Sequence, residues 1–165
     1  MATEASEIIK LLKKEYANTK YYLNFANPLQ LMVAAVLSAQ CRDDIVNSVT
    51  AGLFKKYKTP ADFGKLKEED IKSITFFRNK AKSIREACGI VIDKFGGKVP
   101  DRMEDLVMLP GIGRKTANAI LINAFDKVVG ITVDTHVLRL SYRLGLTKNT
   151  NPEKVEKDLM AVVPK

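Results

Sequence analysis

The sequence contains few of the residues that build disulfide frameworks and metal sites. It has two cysteines and one histidine among 165 residues, and Cys41 and Cys88 stand far apart with no CxxC companion. This spacing excludes a disulfide-stapled scaffold and a zinc knuckle. No run approaches about 18 consecutive apolar residues, and the N-terminal stretch lacks the apolar core of a signal peptide. We therefore expect a soluble, cytoplasmic protein with reduced thiols.

Acidic residues are also in deficit. The chain has 27 Lys and Arg against 19 Asp and Glu, which gives a net charge of +8 and a pI near 9.5. Such a surplus favours an anionic partner, most commonly nucleic acid, and a merely solvated basic surface is the alternative. Apolar residues make up 46% of the sequence, which is enough to bury a core.

Strand patterns are nearly absent. Only VVGITV at 128–133 resembles a strand, and it is too short and isolated to pair well. There is no internal repeat and no low-complexity linker. We predict an all-α fold, an orthogonal bundle of short helices.

Apolar periodicity and capping signals place the helices. Asn27-Pro28 opens the very apolar LQLMVAAVLSAQ, which is predicted to lie at the centre of the core. A loop is predicted around 75–79, followed by a long helix over 80–95. An N-terminal helix is predicted with the apolar stripe Ile8, Ile9, Leu11, Leu12 and Tyr16, and another helix over 44–57. Short helices are predicted after Thr59-Pro60 and from 67–70, and one begins at Pro100-Asp101 with Glu104 in a capping box. Further helices are predicted over 114–125, after VDTH at 133–136, and from 150–152 to Val163-Pro164.

Residues 109–113, LPGIG, stand between two predicted helices and lead into Arg114 and Lys115. Glycine adopts positive φ easily and leaves its amide accessible. A tight turn that feeds a helix N-terminus presents amides at the positive end of the helix dipole, where they can bind a phosphate oxygen. We expect Ile112 to pack into the core and hold the turn closed. The alternative is an ordinary corner whose glycines only permit close packing.

Lys115 and Asp134 are the residues that suggest chemistry. The dipole disfavours a cation in the first turn of a helix, and partial desolvation would favour the neutral amine that acts as a nucleophile. The alternative is that Lys115 only holds a phosphate. Asp134 is placed either as a catalytic carboxylate or only as an N-cap. His136 is predicted to face inward beside Val133 and Val137 in a structural role.

The string LPGIGRKTANAILINAF…VDTHVLRLSYRLGL resembles endonuclease III and its relatives in the helix–hairpin–helix DNA glycosylase superfamily. The resemblance extends to LMVAAVLSAQCRDDIVN, FFRNKAKSI and GGKVPDRMEDLVMLPG, and it spans roughly residues 25–165. It implies a six-helix barrel domain at 22–131 that contains the hairpin. It also implies a partial second helical domain, built from 1–21 and 132–165.

The resemblance further implies base excision repair of oxidised pyrimidines of the thymine glycol type. Lys115 matches the family's nucleophilic lysine, which attacks C1′ of the sugar, forms a Schiff base and leads to β-elimination. Asp134 matches the aspartate that stabilises positive charge on the sugar. Within the same fold, a mismatch-specific thymine or uracil DNA glycosylase is the alternative. A non-catalytic DNA-binding module is a second alternative, from a different class.

The same match assigns DNA contacts. Gln40 corresponds to the glutamine that fills the space left by the flipped nucleotide, and Phe76 to an apolar wedge between bases. A polar helix end is the alternative for Gln40, and an aromatic folded onto the core is the alternative for Phe76. Thr75 stands where relatives often carry glycine. The remaining predicted contacts are Arg78, Lys80 and Lys82 at phosphates and Gly111, Ile112, Gly113 and Arg114 at the hairpin.

Relatives continue past 162–164 with a further helix and, commonly, four cysteines that bind a four-iron–four-sulfur cluster. We expect this chain to be C-terminally truncated with respect to them, with no cluster and no other metal or cofactor. The predicted partner is double-stranded DNA with damaged bases or abasic sites. The protein is expected to be a monomer of prokaryotic type, associated with the nucleoid and not with a membrane.

Overall fold

The computed structural model describes residues 2–163. Over this range the chain forms nine α-helices and one short 3₁₀ helix and contains no strand, so the all-α prediction is confirmed and VVGITV forms no strand. The elements are α1 (Ala2–Glu15), α2 (Pro28–Ser38), α3 (Asp43–Lys56), α4 (Pro60–Phe63), the 3₁₀ helix (Glu68–Ile71), α5 (Phe77–Phe95), α6 (Met103–Leu106), α7 (Arg114–Phe125), α8 (Thr135–Arg143) and α9 (Pro152–Val162).

The chain divides into two compact units. One unit is Tyr21–Lys127, and the other combines the described residues of 1–20 and 128–165. The predicted domain boundaries, at 22 and 131, differ from these by a few residues. The first unit therefore holds α2 to α7 with the hairpin, and the second holds α1, α8 and α9.

Helix α2 is the centre of the first unit. Seven consecutive residues, from Leu31 to Leu37, are buried, as expected for a helix that is apolar on every side. The side chain of Asn27 accepts a hydrogen bond from the Gln30 amide at 3.0 Å, and Pro28 occupies the first helical position. Both the start of this helix and its central position agree with the sequence prediction.

Helix α5 is longer than predicted. It begins at Phe77, inside the segment 75–79 that was predicted as a loop, and ends at Phe95, with Gly96 at φ 59° as its C-cap. Its N-cap is Phe76, which has φ 56° and offers no capping side chain, so the usual start signal is missing from the sequence. The buried face of this helix consists of Lys80, Ala81, Ile84, Ala87, Cys88 and Val91.

The predicted capping box at 101–104 is wrong. Helix α6 begins at Met103, and its N-cap is Arg102, which makes no side-chain capping bond. The Asp101 carboxylate instead forms an ion pair with Lys127, and Glu104 Oε2 lies 3.6 Å from Arg102 Nε.

The second unit has a small core around Val133, Val155 and Leu159. The predicted apolar stripe of α1 divides, because Ile8 and Ile9 are half-buried whereas Leu11, Leu12 and Tyr16 are exposed. Helix α1 ends at Glu15, so Tyr16 lies outside it. Helix α9 is capped by Asn151, whose side chain accepts bonds from the amides of Glu153 and Lys154.

Both cysteines are free thiols. Cys88 is fully buried in the core of the first unit, and its burial raises the pKa of the thiol to about 12. Cys41 is half-buried. Within residues 2–163, no helix is long and apolar enough to cross a membrane.

Candidate functional site

The hairpin turn at 109–113 depends on glycine at one of its two glycine positions. Gly111 has φ 84°, and a Cβ on it would lie 3.2 Å from Val36 Cγ1 and 3.3 Å from Ser83 Cβ. Both the backbone conformation and the packing against α2 and α5 therefore require glycine. Ile112 is 5% exposed and belongs to the core cluster, which agrees with its predicted role of holding the turn closed. A contact of Ile112 with DNA would thus involve its backbone only.

Gly113 has different surroundings. It is the N-cap of α7 with φ −90°, and no atom lies within 4 Å of the position its Cβ would take. Gly113 has no side chain that could cap the helix start. The first-turn amides lie at the positive end of the dipole of a 12-residue helix, where an anion is favoured. The absence of a side chain at Gly113 leaves room for close approach to these amides.

Arg114 and Lys115 follow directly and are both exposed. Lys115 lies in the first turn of α7, as predicted. Its side chain is open to solvent, so the partial desolvation considered from the sequence is absent in the free protein. The hairpin thus presents two cations beside an uncapped helix start, an arrangement that suits a phosphate group.

Asp134 lies in the second unit and is the N-cap of α8. Its Oδ1 accepts a hydrogen bond from the Val137 amide at 2.8 Å, and the residue is half-buried. The capping role considered as the alternative is therefore present. A carboxylate has two oxygens, so Oδ2 retains acceptor capacity while Oδ1 caps the helix.

The prediction that His136 faces inward is wrong. His136 is exposed, and its Nδ1 accepts a hydrogen bond from Arg139 Nη2 at 3.3 Å on the outer face of α8. Its neighbours in sequence do not decide its direction, because adjacent residues on a helix point about 100° apart. The buried position of this helix is Ser141, whose hydroxyl donates to the Val137 carbonyl at 2.7 Å.

Gln40 is exposed and occupies a turn just beyond α2. Ala39 has φ −56° and ψ 117°, Gln40 has φ 51°, and the Cys41 amide donates to the Ser38 carbonyl at 3.0 Å. These values match a type II β-turn, whose third position takes positive φ and favours glycine or asparagine. A residue such as glutamine in this conformation costs on the order of 1–2 kcal/mol. Strain of this kind is often found where function requires a side chain to be presented.

Phe76 has a similar conformation. It has φ 56° and is 60% exposed, whereas Phe77 packs against the core. The structure thus exposes the residue that was predicted as the wedge, and its neighbour is partly buried against the core. Thr75 is not among the positive-φ residues, which explains why glycine is not needed there. Arg78 is exposed, with its guanidinium 5.4 Å from the Phe77 ring centre.

The prediction that Lys80 contacts a phosphate needs correction. Lys80 is 7% exposed, and its Nζ donates to the carbonyls of Leu37 at 2.8 Å and Ala39 at 2.6 Å. The amine therefore points into the first unit and not towards a ligand on its surface. The sequence carried a signal for this, because Lys80 precedes Ile84 by four positions and so lies on the buried stripe of α5.

The residues present do not fit an iron–sulfur cluster. Cys88 is buried in the core, Cys41 is the only other cysteine of the sequence, and the described residues contain no group of three or more His, Cys, Asp or Glu able to hold a metal ion. A cavity of about 690 Å³ lies between Pro28, Pro60 and Phe95. It is lined by none of the predicted site residues, and we therefore assign it no part in the reaction.

The model of the HhH-GPD superfamily of base excision DNA repair proteins matches residues 33–165. Endonuclease III of Synechocystis sp. is 51% identical over 97% of this chain and 75% of its own length. Endonuclease III of Bacillus subtilis is 49% identical over 85% of this chain and 66% of its own length. A solved structure of a non-covalent endonuclease III–DNA complex matches with a TM-score of 0.93 at 42% identity, over 99% of this chain and 78% of that one.

Proposed function

The chain belongs to the HhH-GPD superfamily of base excision DNA repair proteins and, within it, to the endonuclease III family, and on this basis we propose the reaction that its residues carry out. It is a DNA glycosylase and apurinic/apyrimidinic (AP) lyase that binds double-stranded DNA. We propose that its substrates are oxidised pyrimidines of the thymine glycol type. The observation that supports this chemistry best is the exposed Lys115 in the first turn of α7, directly after the hairpin.

Lys115 is the proposed nucleophile. Its neutral amine attacks C1′ of the damaged nucleotide, the N-glycosidic bond breaks, and the departing base takes up a proton. Opening of the sugar ring then gives a Schiff base between Lys115 and C1′. Loss of a C2′ proton expels the 3′ phosphate and breaks the strand, and water then hydrolyses the Schiff base and releases the Lys115 amine. A bound duplex would exclude water from the amine.

Asp134 is the proposed partner in this step. Positive charge develops on the sugar as the base leaves, and a carboxylate oxygen lowers the energy of that state. Oδ1 is engaged with the Val137 amide, so the proposal assigns this electrostatic role to Oδ2. The cap also fixes the carboxylate, because a side chain held by a helix amide has little freedom to rotate.

The hairpin is the proposed phosphate anchor. The α7 amides and the Arg114 side chain would hold one backbone phosphate without reading the bases. Gln40 and Phe76 would enter the duplex, Gln40 in the space left by the extruded nucleotide and Phe76 as a wedge. Arg78 and Lys82, both exposed on α5, are proposed to contact phosphates nearby.

No metal or cofactor takes part in this proposed reaction. Each step uses a lysine amine, a carboxylate and water, and none requires a redox centre. Since the relatives are bacterial, we propose that the protein acts in the cytoplasm on nucleoid DNA, as a monomer.

Replacing Lys115 with glutamine tests the central step. The protein is incubated with a duplex that contains one thymine glycol, and borohydride is added to reduce the Schiff base to a stable bond. We expect a covalent protein–DNA band for the wild type and none for Lys115→Gln, because an amide is no nucleophile. Strand cleavage should fall by about a hundredfold or more.

Lys94→Gln is the matched control. Lys94 is exposed in the last turn of α5, and it has no assigned part in binding or reaction. This variant should give the wild-type band. A covalent band that persists in Lys115→Gln would show that another amine reacts. DNA binding without a band in the wild type would indicate a non-catalytic module. A band with a thymine or uracil mismatch but none with thymine glycol would indicate the mismatch-specific alternative.

A further inference from the structure

Lys80 is a buried cation that the proposed reaction does not use. Its ammonium binds two backbone carbonyls, those of Leu37 and Ala39, at 2.8 Å and 2.6 Å. Burial lowers the pKa of Lys80, as expected for an amine removed from water. Burying a cation is costly unless it is hydrogen-bonded. Here the cost is offset by two charge-assisted bonds and by the negative end of the α2 dipole.

The Ala39 carbonyl is the more informative of the two partners. It belongs to the peptide that joins Ala39 to Gln40, which is the central peptide of the type II turn. A type I turn differs from a type II turn by a flip of this peptide, which reverses its carbonyl and makes φ negative at the third residue. The flip would turn the Ala39 carbonyl away from Lys80. The bond therefore holds Gln40 at its positive φ.

Lys80 also touches the second candidate for insertion. Its backbone amide donates to the Phe76 carbonyl at 3.1 Å, in the first turn of α5. The described residues contain three non-glycine residues at positive φ, and two of them are Gln40 and Phe76. Lys80 binds the turn that contains Gln40 with its side chain, and it binds the Phe76 carbonyl with its backbone amide. The third, Asp126, follows the end of α7, where this conformation is common.

We propose that Lys80 is a positioning residue that fixes the type II turn and thereby orients Gln40 towards the base left unpaired when the damaged nucleotide is flipped out. The proposal rests on the proposed function, because Gln40 acts only if a nucleotide is extruded. Lys80 contacts neither substrate nor reacting atoms in this scheme. Its loss should therefore affect the step that depends on the opposite base and leave the chemistry at Lys115 intact.

Two duplexes of one sequence separate these effects. In the first, thymine glycol stands opposite adenine, and in the second it stands opposite a tetrahydrofuran abasic analogue. The second duplex offers Gln40 no unpaired base. Base release is measured in a single turnover with each, and the ratio of the two rates reports what Gln40 contributes. Partial misfolding lowers both rates equally and leaves the ratio unchanged.

Lys80→Met keeps an unbranched side chain, one heavy atom shorter, and removes both hydrogen bonds. We expect the wild type to favour the adenine duplex and Lys80→Met to lose about tenfold in that ratio, as Gln40→Ala does. The double variant Gln40→Ala/Lys80→Met should have the same ratio as Gln40→Ala alone, because a positioning residue has nothing left to position. Lys80→Gln retains a donor, so its ratio should lie between those of the wild type and Lys80→Met. It replaces Lys80→Met if that variant does not fold.

Lys94→Met, on the same helix but exposed, should keep the wild-type ratio. An unchanged ratio in Lys80→Met, or losses that add in the double variant, would overturn the role of Lys80. A wild-type ratio near one would also overturn it, since Gln40 would then not sense the opposite base. Failure of the proposed function would give a different result, because the wild type would then release no base from either duplex.

Discussion

A single substitution can separate the capping role of Asp134 from its proposed catalytic role. Its Oδ1 caps α8 through the Val137 amide at 2.8 Å, and the proposed reaction assigns charge stabilisation to the same carboxylate. Asparagine caps helices about as well as aspartate but carries no charge. The two side chains therefore share the structural role and differ in the catalytic one.

We expect Asp134→Asn to keep its thermal stability and to release thymine glycol more slowly by on the order of 10²–10⁴. Asp134→Ala should lose the cap as well, which lowers the free energy of unfolding by about 1 kcal/mol. Calorimetry and single-turnover base release measure the two effects. Wild-type activity in Asp134→Asn would leave this carboxylate with a capping role only.

At this scale, the directions of two side chains were predicted wrongly. Lys80 lies on the apolar stripe of α5, yet a lysine in the run RNKAK resembles a surface contact. Only coordinates show that two carbonyls at the end of α2 receive its amine. For His136, flanking valines suggested burial, although the direction of a side chain on a helix depends on residues three and four positions away.

At the scale of the element, the two glycines of the hairpin have different functions. Gly111 has φ 84° and close neighbours on α2 and α5, whereas Gly113 has φ −90° and open space around it. The first glycine shapes the turn. The second leaves the start of α7 accessible.

Gly111→Ala should lower the free energy of unfolding by about 1–2 kcal/mol from its φ alone, with a further loss from packing. Gly113→Ala should unfold like the wild type but bind DNA more weakly, because the added methyl group stands where a phosphate would approach. Denaturant titration and a binding titration with an abasic duplex measure these effects. Normal DNA affinity in Gly113→Ala would argue against the phosphate anchor.

Elements with strong local signals were predicted well. Asn27-Pro28 and a continuous apolar run identified α2, and the glycines of LPGIG identified the hairpin. The starts of α5 and α6 were missed because their N-caps, Phe76 and Arg102, carry no capping side chain. Long-range contacts decide such boundaries, for example the pair of Asp101 with Lys127.

At the scale of the whole molecule, the net charge of +8 gives DNA binding a large electrostatic component. Arg114 is expected to neutralise one phosphate through the hairpin. Arg114→Ala should weaken binding by a similar factor on all sequences and reduce the slope of log affinity against log salt by about one. Affinity for several undamaged duplexes, measured over a range of salt, tests this. A loss confined to one sequence would contradict a phosphate contact.

The fold class followed from the whole sequence, since helical periodicity extends along the chain and strand patterns are scarce. The candidate site could not be predicted from periodicity in the same way. Lys115 and Asp134 are close in sequence but lie in different units, Tyr21–Lys127 and the remainder. Local patterns identify residues of this kind, and only the resemblance of several motifs together suggested that they act on one substrate.

The two thiols differ in a manner that is useful for spectroscopy. Cys88 is sealed in the core with a pKa of about 12, so maleimide reagents should not modify it in the native protein. Cys41 is half-buried and immediately follows Gln40. The natural sequence therefore already provides an attachment point for a fluorophore beside the turn that is proposed to enter the duplex. A fluorophore there would follow nucleotide extrusion in real time without a new cysteine.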